Sequence, residues 1–193
     1  MANQFDQIKH SLGGYQQITD YPKFEQNIIQ SAILIPMVMD SCELSLVFTR
    51  RSDNLARHAG QVSFPGGMRE PGDQSPVDTA VRETQEEIGL TPDRIEIIGM
   101  MNPYNSSTGF CVFPVVGLIH GTHGLMRNNE VEKLFFVPTA WLDDPRNSYQ
   151  SDYHAADRQF YKLWYFNNYE GEIIWGLTAQ ITKDFLNIVK KEQ

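Results

Sequence analysis

The sequence predicts an α/β domain in which a sheet is packed between helices. Three observations predict it: several apolar, β-rich segments between residues 31 and 166, one internal helix with clear boundaries near 76–88, and a C-terminal segment, 177–190, with helical periodicity. One helix inside the strand series and one after it cover a sheet from two sides. No repeat, low-complexity tract or linker interrupts the chain. Residues 1–193 therefore read as one domain, with residues 1–30 a short helix and lead-in.

Taken in order, residues 3–12 read as a short helix. Residues 31–39 (SAILIPMVM) and 44–50 (LSLVFTR) are β-rich, and the polar DSCE between them makes a hairpin. Further strands are expected at 94–101, 110–119, 131–137 and 159–166. The 76–88 helix starts at an N-cap, Ser75, with Pro76 at the first helical position and Asp78 placed for a capping-box-like start. Gly89 suits the residue after its end, and Pro92 prevents continuation. Val77, Ala80, Val81, Thr84 and Ile88 fall on one face of this helix. Glu83, Glu86 and Glu87, at i, i+3 and i+4, are expected on a separate face, outside the core. Leu177, Ile181, Phe185 and Ile188 give the last helix its apolar stripe.

Composition narrows the function. A net charge of −8 excludes a broad nucleic-acid surface, because phosphate binding is driven by clustered lysine and arginine. Arg50, Arg51, Arg57 and His58 are the one concentrated cationic patch, suited to a local grip on an anionic small molecule. Cys42 and Cys111 form no motif, which fits a reducing cytosol. The N-terminus MANQFDQIKH has no apolar signal region, and the longest apolar run, 32–39, is far too short to span a bilayer. The expectation is a soluble cytoplasmic protein without a membrane partner. The sequence sets no oligomeric state.

The crowded glutamates are the sharpest signal. Like charges at i,i+3 and i,i+4 each cost a helix roughly 0.2–0.5 kcal/mol, and these lie near the negative end of the helix dipole. The bland reading is a solvated acidic face. The chemical reading is a divalent cation, which would turn the repulsion into attraction. Hard oxygen ligands without cysteine or clustered histidine point to Mg²⁺ or Mn²⁺.

The stretch GGMREPGDQSPVDTAVRETQEEIGL (66–90) resembles the Nudix box: a glycine, five residues, an acid, a spacer, then Arg-Glu-x-x-Glu-Glu-x-Gly and an aliphatic residue. The matching positions are Gly67, Asp73, Arg82, Glu83, Glu86, Glu87, Gly89 and Leu90. Asp73 replaces the usual glutamate, and eight residues rather than seven separate it from Arg82; both features are similar to the coenzyme A pyrophosphatase branch of that family. Upstream, LVFTRRSDNLARHAGQVSFPGG (46–67) resembles the extra motif of the same branch. Thr49, Arg51, Ser52, Gly60, Phe64, Pro65, Gly66 and Gly67 match it, while Ala56 stands where the motif has an arginine.

The resemblance implies a Nudix fold, a mixed β-sheet sandwiched between α-helices, and metal-dependent hydrolysis of a diphosphate with Mg²⁺ or Mn²⁺. It implies Glu83, Glu86 and Glu87 as metal ligands, with the Gly67 carbonyl brought close to the metal. Arg82 would hold a glutamate in its ligating orientation. The base is one of the box glutamates or Glu130 of the loop RNNEVEK. The implied substrate is coenzyme A or its thioesters, with the cationic patch as the candidate reader of its 3′-phosphate. The rivals are another nucleoside diphosphate derivative, such as ADP-ribose or NADH, and a non-catalytic nucleotide-binding module. Tyr104, Phe110 and the tryptophans receive no role.

Overall fold

The computed structural model describes residues 8–12, 20–22, 28–40, 43–56, 58–106, 109–154 and 160–190. Residues 8–12 are helical (α1); the rest of the helix expected from residue 3 lies outside the described residues. The strands are β1 (Ile29–Asp40), β2 (Glu43–Arg51), β3 (Val62–Ser63), β4 (Gly66–Met68), β5 (Ile95–Met100), β6 (Tyr104–Asn105), β7 (Phe110–Ile119), β8 (Val131–Pro138), β9 (Ser148–His154) and β10 (Phe160–Phe166). Helix α2 spans Pro76–Ile88, α3 Thr139–Asp143 and α4 Gly176–Lys190.

The main sheet runs β3-β2-β1-β7-β5, with β4 beside β1, β6 beside β7 and β8 on the other edge of β2. β1 and β7 are parallel, from Ile29 opposite Phe110 to Met37 opposite Leu118. The other pairings are antiparallel, so the sheet is mixed. The hairpin expected from residues 31–50 is present, with Met37 opposite Leu46. β9 and β10 form a second, two-stranded sheet. β9 is polar (SYQSDYH) and carries no apolar alternation, which is why the sequence does not announce it. The segment expected as a strand from residue 94 begins with a 3-10 turn, Pro92–Arg94, because the proline fixes a helical φ there.

Alternation along the central strands builds the two faces. Ala32, Leu34, Phe113 and Val115 turn to one side, where Ala80 of α2 packs on them. Ile35, Met37, Leu46, Phe48 and Val116 turn to the other, against Ile181 and Phe185 of α4 and Ile8 and Leu12 of α1. The expectation of a sheet between helices holds. Cys111 is buried as a free thiol in the α2-side core, and Cys42 lies outside the described residues. No described helix is long and apolar enough to cross a membrane.

One edge of β1 is shared. Its far end pairs with β2, and its near end, Ser31–Ile33, pairs with the three-residue strand β4. Gly66 lies opposite Ile33 with φ 154°, and the Leu34 N–H donates to the Pro65 carbonyl at 2.9 Å. A Cβ on Gly66 would stand 2.4 Å from the Ala32 carbonyl oxygen and 2.6 Å from the Ile33 Cα, both backbone atoms that cannot step aside. Gly66→Ala is therefore expected to destabilise the protein by about 2–4 kcal/mol through backbone displacement. Urea unfolding measures this, and a midpoint equal to wild type contradicts the close approach.

Candidate active site

Helix α2 forms where its caps direct. The Ser75 hydroxyl accepts the Asp78 N–H at 3.2 Å, and the Asp78 carboxylate accepts the Ser75 N–H at 2.9 Å. Gly89 closes the other end in the left-handed conformation, φ 67°. The buried side chains are Pro76, Thr79, Ala80, Thr84, Glu87 and Ile88. This corrects the expectation of three glutamates on a face outside the core. Ala80, Thr84 and Glu87 are spaced i, i+4, i+7, one stripe of a 3.6-residue helix, so Glu87 goes in with the core face. Glu87 is 4% exposed, the Glu83 side chain 18% and that of Glu86 56%, so the acids grade from core to solvent. Val81, expected in the core, is only partly buried.

Arg82 gathers the solvent-side half of the cluster. Its Nη1 donates to Glu83 Oε1 at 3.0 Å and to Glu86 Oε2 at 3.3 Å. Its Nε and Nη2 grip both oxygens of Asp73 at 3.2 and 3.0 Å, and Nη2 also reaches the Met68 carbonyl at 2.9 Å. Asp73 is buried and itself held: the Thr79 hydroxyl donates to its Oδ2 at 2.8 Å, the Glu70 N–H at 2.9 Å. Burial works against the ionised Asp73 carboxyl, yet these hydrogen bonds and the Arg82 charge bring it down to about 2. Tyr21 extends the chain, its hydroxyl donating to Thr79 at 2.7 Å. No spacing rule connects Tyr21 and Thr79, 58 residues apart, so sequence reasoning misses this support.

The core-side half meets the glycine turn. Glu87 accepts the Gly66 N–H at 3.2 Å and lies 3.7 Å from Arg51 Nη1. Burial pushes its carboxyl up to about 8, only partly offset by the Gly66 hydrogen bond and Arg51. Burial also raises Glu83, opposed by Arg82. Arg51 spans to the expected base, with Nη2 at 3.7 Å from the exposed Glu130 carboxylate, and its buried Nε has no hydrogen-bond partner.

The described members of the cationic patch go to different partners. Arg50 turns aside into a two-pronged pair with Asp53 at 2.7 and 2.9 Å and a longer pair with Glu172 at 3.6 Å. His58 shares a hydrogen bond with Gln61 at 2.9 Å, and Arg57 lies outside the described residues. Arg51 and His58, with Gly66 and Gly67, line a cavity of about 900 Å³; Arg50 does not reach it.

The residues fit a hard divalent cation. All the converging groups offer oxygen, and Gly67 leaves the space that the Glu83 carboxylate fills. A Cβ there would lie 2.4 Å from the carboxyl carbon and Oε1. Among the described residues no three His, Cys, Asp or Glu side chains are drawn together tightly enough to enclose an ion. In this arrangement Arg82 holds Glu83 and Glu86, while Glu87 turns to Gly66.

A sequence model of the NUDIX domain matches residues 29–163. The chain belongs to the Nudix family. Its relatives include proteins described as uncharacterized Nudix hydrolase NudL. That of Yersinia enterocolitica is 39% identical over 165 residues, covering 83% of this chain and 81% of that protein. That of Yersinia pestis strain Pestoides F is 38% identical over 157 residues, covering 80% and 76%. Among solved structures, a MutT/nudix family protein from Enterococcus faecalis superposes with a TM-score of 0.58 at 15% identity, covering 97% of this chain and 74% of that one. The Nudix hydrolase RenU of M. smegmatis gives 0.52 at 17% identity, covering 68% and 84%. These two establish the fold. Nudix hydrolases generally use divalent ions such as Mg²⁺ or Mn²⁺, and the Nudix box of this chain is the Gly67–Leu90 stretch whose carboxylates meet the glycine turn.

Glu87 gives the metal-free protein a pH signature. With its carboxyl at about 8, the native state keeps a proton that the unfolded chain loses near 4.5. The penalty for ionising it is absent below that window, grows through it and is complete above it. Asp73 acts in the opposite sense, but only as pH falls from 3.8 towards 2, outside this window. In chelator, the melting temperature is expected to fall by on the order of 10 °C between about pH 5 and pH 8.5. Glu87→Gln removes most of that fall. Thermal melts across this range check it, and a wild-type profile as flat as the variant's contradicts it.

Proposed function

We propose that this protein hydrolyses the diphosphate bond of coenzyme A or its thioesters, using Mg²⁺ or Mn²⁺. Water adds to one phosphorus, the bond from that phosphorus to the bridging oxygen breaks, and the products are 3′,5′-ADP and 4′-phosphopantetheine. The observation that carries this reading is a graded set of carboxylates around a bare glycine turn, where that turn and Arg51 line a cavity. The motif at residues 46–67 supports coenzyme A in particular.

Glu83, Glu86 and Glu87 would hold the metal, with the Gly67 carbonyl beside them. A bound divalent ion supplies charge neutralisation at the phosphoryl oxygens and acidifies water. Arg82, braced by Asp73 and Thr79, sets the orientation of Glu83 and Glu86. Arg51, with an unpaired Nε and a side chain lining the cavity, grips the diphosphate. Glu130 accepts the proton of the attacking water, kept near the turn by Arg51. Positioning and electrostatics do most of this work, since phosphoryl transfer asks little covalent chemistry of the protein. A module that only binds nucleotides has no use for so costly a carboxylate cluster.

Product analysis after incubation with coenzyme A and Mn²⁺ tests the reading, with ADP-ribose and NADH as comparison substrates. Preferential cleavage of either comparison substrate overturns the coenzyme A assignment. Glu86→Gln, a change at an exposed side chain, is expected to lower kcat by about 10³-fold or more while leaving the melting temperature near wild type. Arg51→Ala lowers kcat/KM for coenzyme A and for its dephospho form alike, because both carry the diphosphate. Full turnover by Glu86→Gln at saturating metal excludes the ligand role.

A further inference from the structure

The cavity that starts at the glycine turn has a second wall, made by the β9–β10 hairpin and the start of α4. Tyr153, Lys162, Trp164 and Trp175 line it, with Asn105 and Gln180. Two of the chain's three tryptophans are therefore spent on one cavity. Trp175 lies 5.7 Å from Tyr153, and it stacks on Tyr165 at 5.9 Å with planes 7° apart, so its orientation is set from behind. No aspartate or glutamate is among the described lining residues, although the chain carries 24 acids against 16 lysines and arginines. In so acidic a protein, a cavity whose described lining carries no carboxylate is suited to an anion.

Its lining cations differ in what they already hold. Arg51 faces Glu87 and Glu130, and His58 is bonded to Gln61. Lys162 is exposed and, among the described residues, forms no ion pair, although Asp152 lies across the strand pair from it. A free amine beside aromatic rings and side-chain amides matches a phosphorylated nucleoside: rings stack on a base, amides read its edge, and the amine pairs with a phosphomonoester. A neutral, amide-linked arm would leave the amine without a partner.

We propose that this wall is the nucleoside subsite, in which Tyr153 and Trp175 take the base and Lys162 binds the phosphate carried outside the diphosphate. This moves recognition of the 3′-phosphate from the arginine patch to Lys162, and it rests on the coenzyme A reading above. The two are tested separately. Calorimetric titration of the metal-free protein compares 3′,5′-ADP with 5′-AMP, which differ by that phosphate and need no turnover. The expected result is tighter binding of 3′,5′-ADP by about tenfold or more, the range of one charge-assisted contact. Lys162→Ala removes most of the gap and Lys162→Arg retains it, with melting temperatures unchanged. In turnover, Lys162→Ala lowers kcat/KM for coenzyme A by about tenfold and leaves dephospho-coenzyme A within about twofold. Equal binding of the two nucleotides, or a gap that survives Lys162→Ala, overturns the subsite and leaves the wall to the pantetheine arm. A wild-type protein that cleaves neither coenzyme A nor its dephospho form overturns the coenzyme A reading instead, and the nucleotide titration still decides the subsite.

Discussion

Where β4 passes between the edge of β1 and Glu83 of α2 there is room for a bare backbone and little else, and the site follows from that closeness. Helix α2 is held on the sheet by Ala80, which shares one core cluster with Ala32 and Leu34 of β1. The β1–β4 register then puts Gly66 opposite Ile33 and Gly67 opposite Ala32. At that depth the Gly66 N–H meets Glu87, and the Glu83 carboxylate occupies the volume of an absent Gly67 side chain. The buried carboxylates and the sheet register are thus parts of one packing problem. A slip of one residue in β4 would turn its pleat over and remove the donor from Glu87.

Two carboxyls, Asp73 just before α2 and Glu87 within it, are displaced in opposite directions, which shows how sharply the surroundings divide. Asp73 is held at about 2 because Arg82, Thr79 and the Glu70 N–H saturate its oxygens, overcoming its burial. Glu87 is pushed up to about 8 because its burial is deeper and its help is one N–H and a distant guanidinium. Arg82 is equal to its task only because a guanidinium is a planar fork of donors; it serves three carboxylates and a carbonyl together. An ammonium at that position would offer a point charge and leave several of those acceptors bare.

Much of this was legible in the sequence, and the gaps have physical causes. The α2 boundaries follow from Ser75, Pro76, Asp78 and Gly89 because capping is local chemistry. The β1–β2 hairpin and β7 follow from their apolar runs. The face of Glu87 did not follow from its charge: helical geometry places it with Ala80 and Thr84, and a carboxylate in that stripe is an exception that charge-based reading assigns to solvent. Arg50 and Arg51 are adjacent and look alike in a string, yet successive residues of a strand point to opposite sides. One goes to Asp53 and Glu172, the other to Glu87 and Glu130. Tyr21 and Thr79 meet across 58 residues, for which the chain carries no local signal, and the polar β9 lacks the alternation that announces a strand.

The two sheets share no strand pairing among the described residues; β9–β10 is tied to the rest mainly by side chains, with Trp164 and Phe166 beneath Lys183 of α4 and Phe166 stacked on Trp141 of α3, and by the isolated bridge from Tyr165 to Trp175. A ladder transmits an insertion or a bulge to its neighbours, whereas side-chain packing absorbs it locally. The hairpin can therefore lengthen, shorten or exchange residues at Lys162 and Tyr153 while β1, β4 and α2 keep their register. In such an architecture, inheritance of the reaction and divergence of the molecule it is applied to are separable. Lineages that take up a new substrate need alter only the piece that no strand ladder joins to the main sheet.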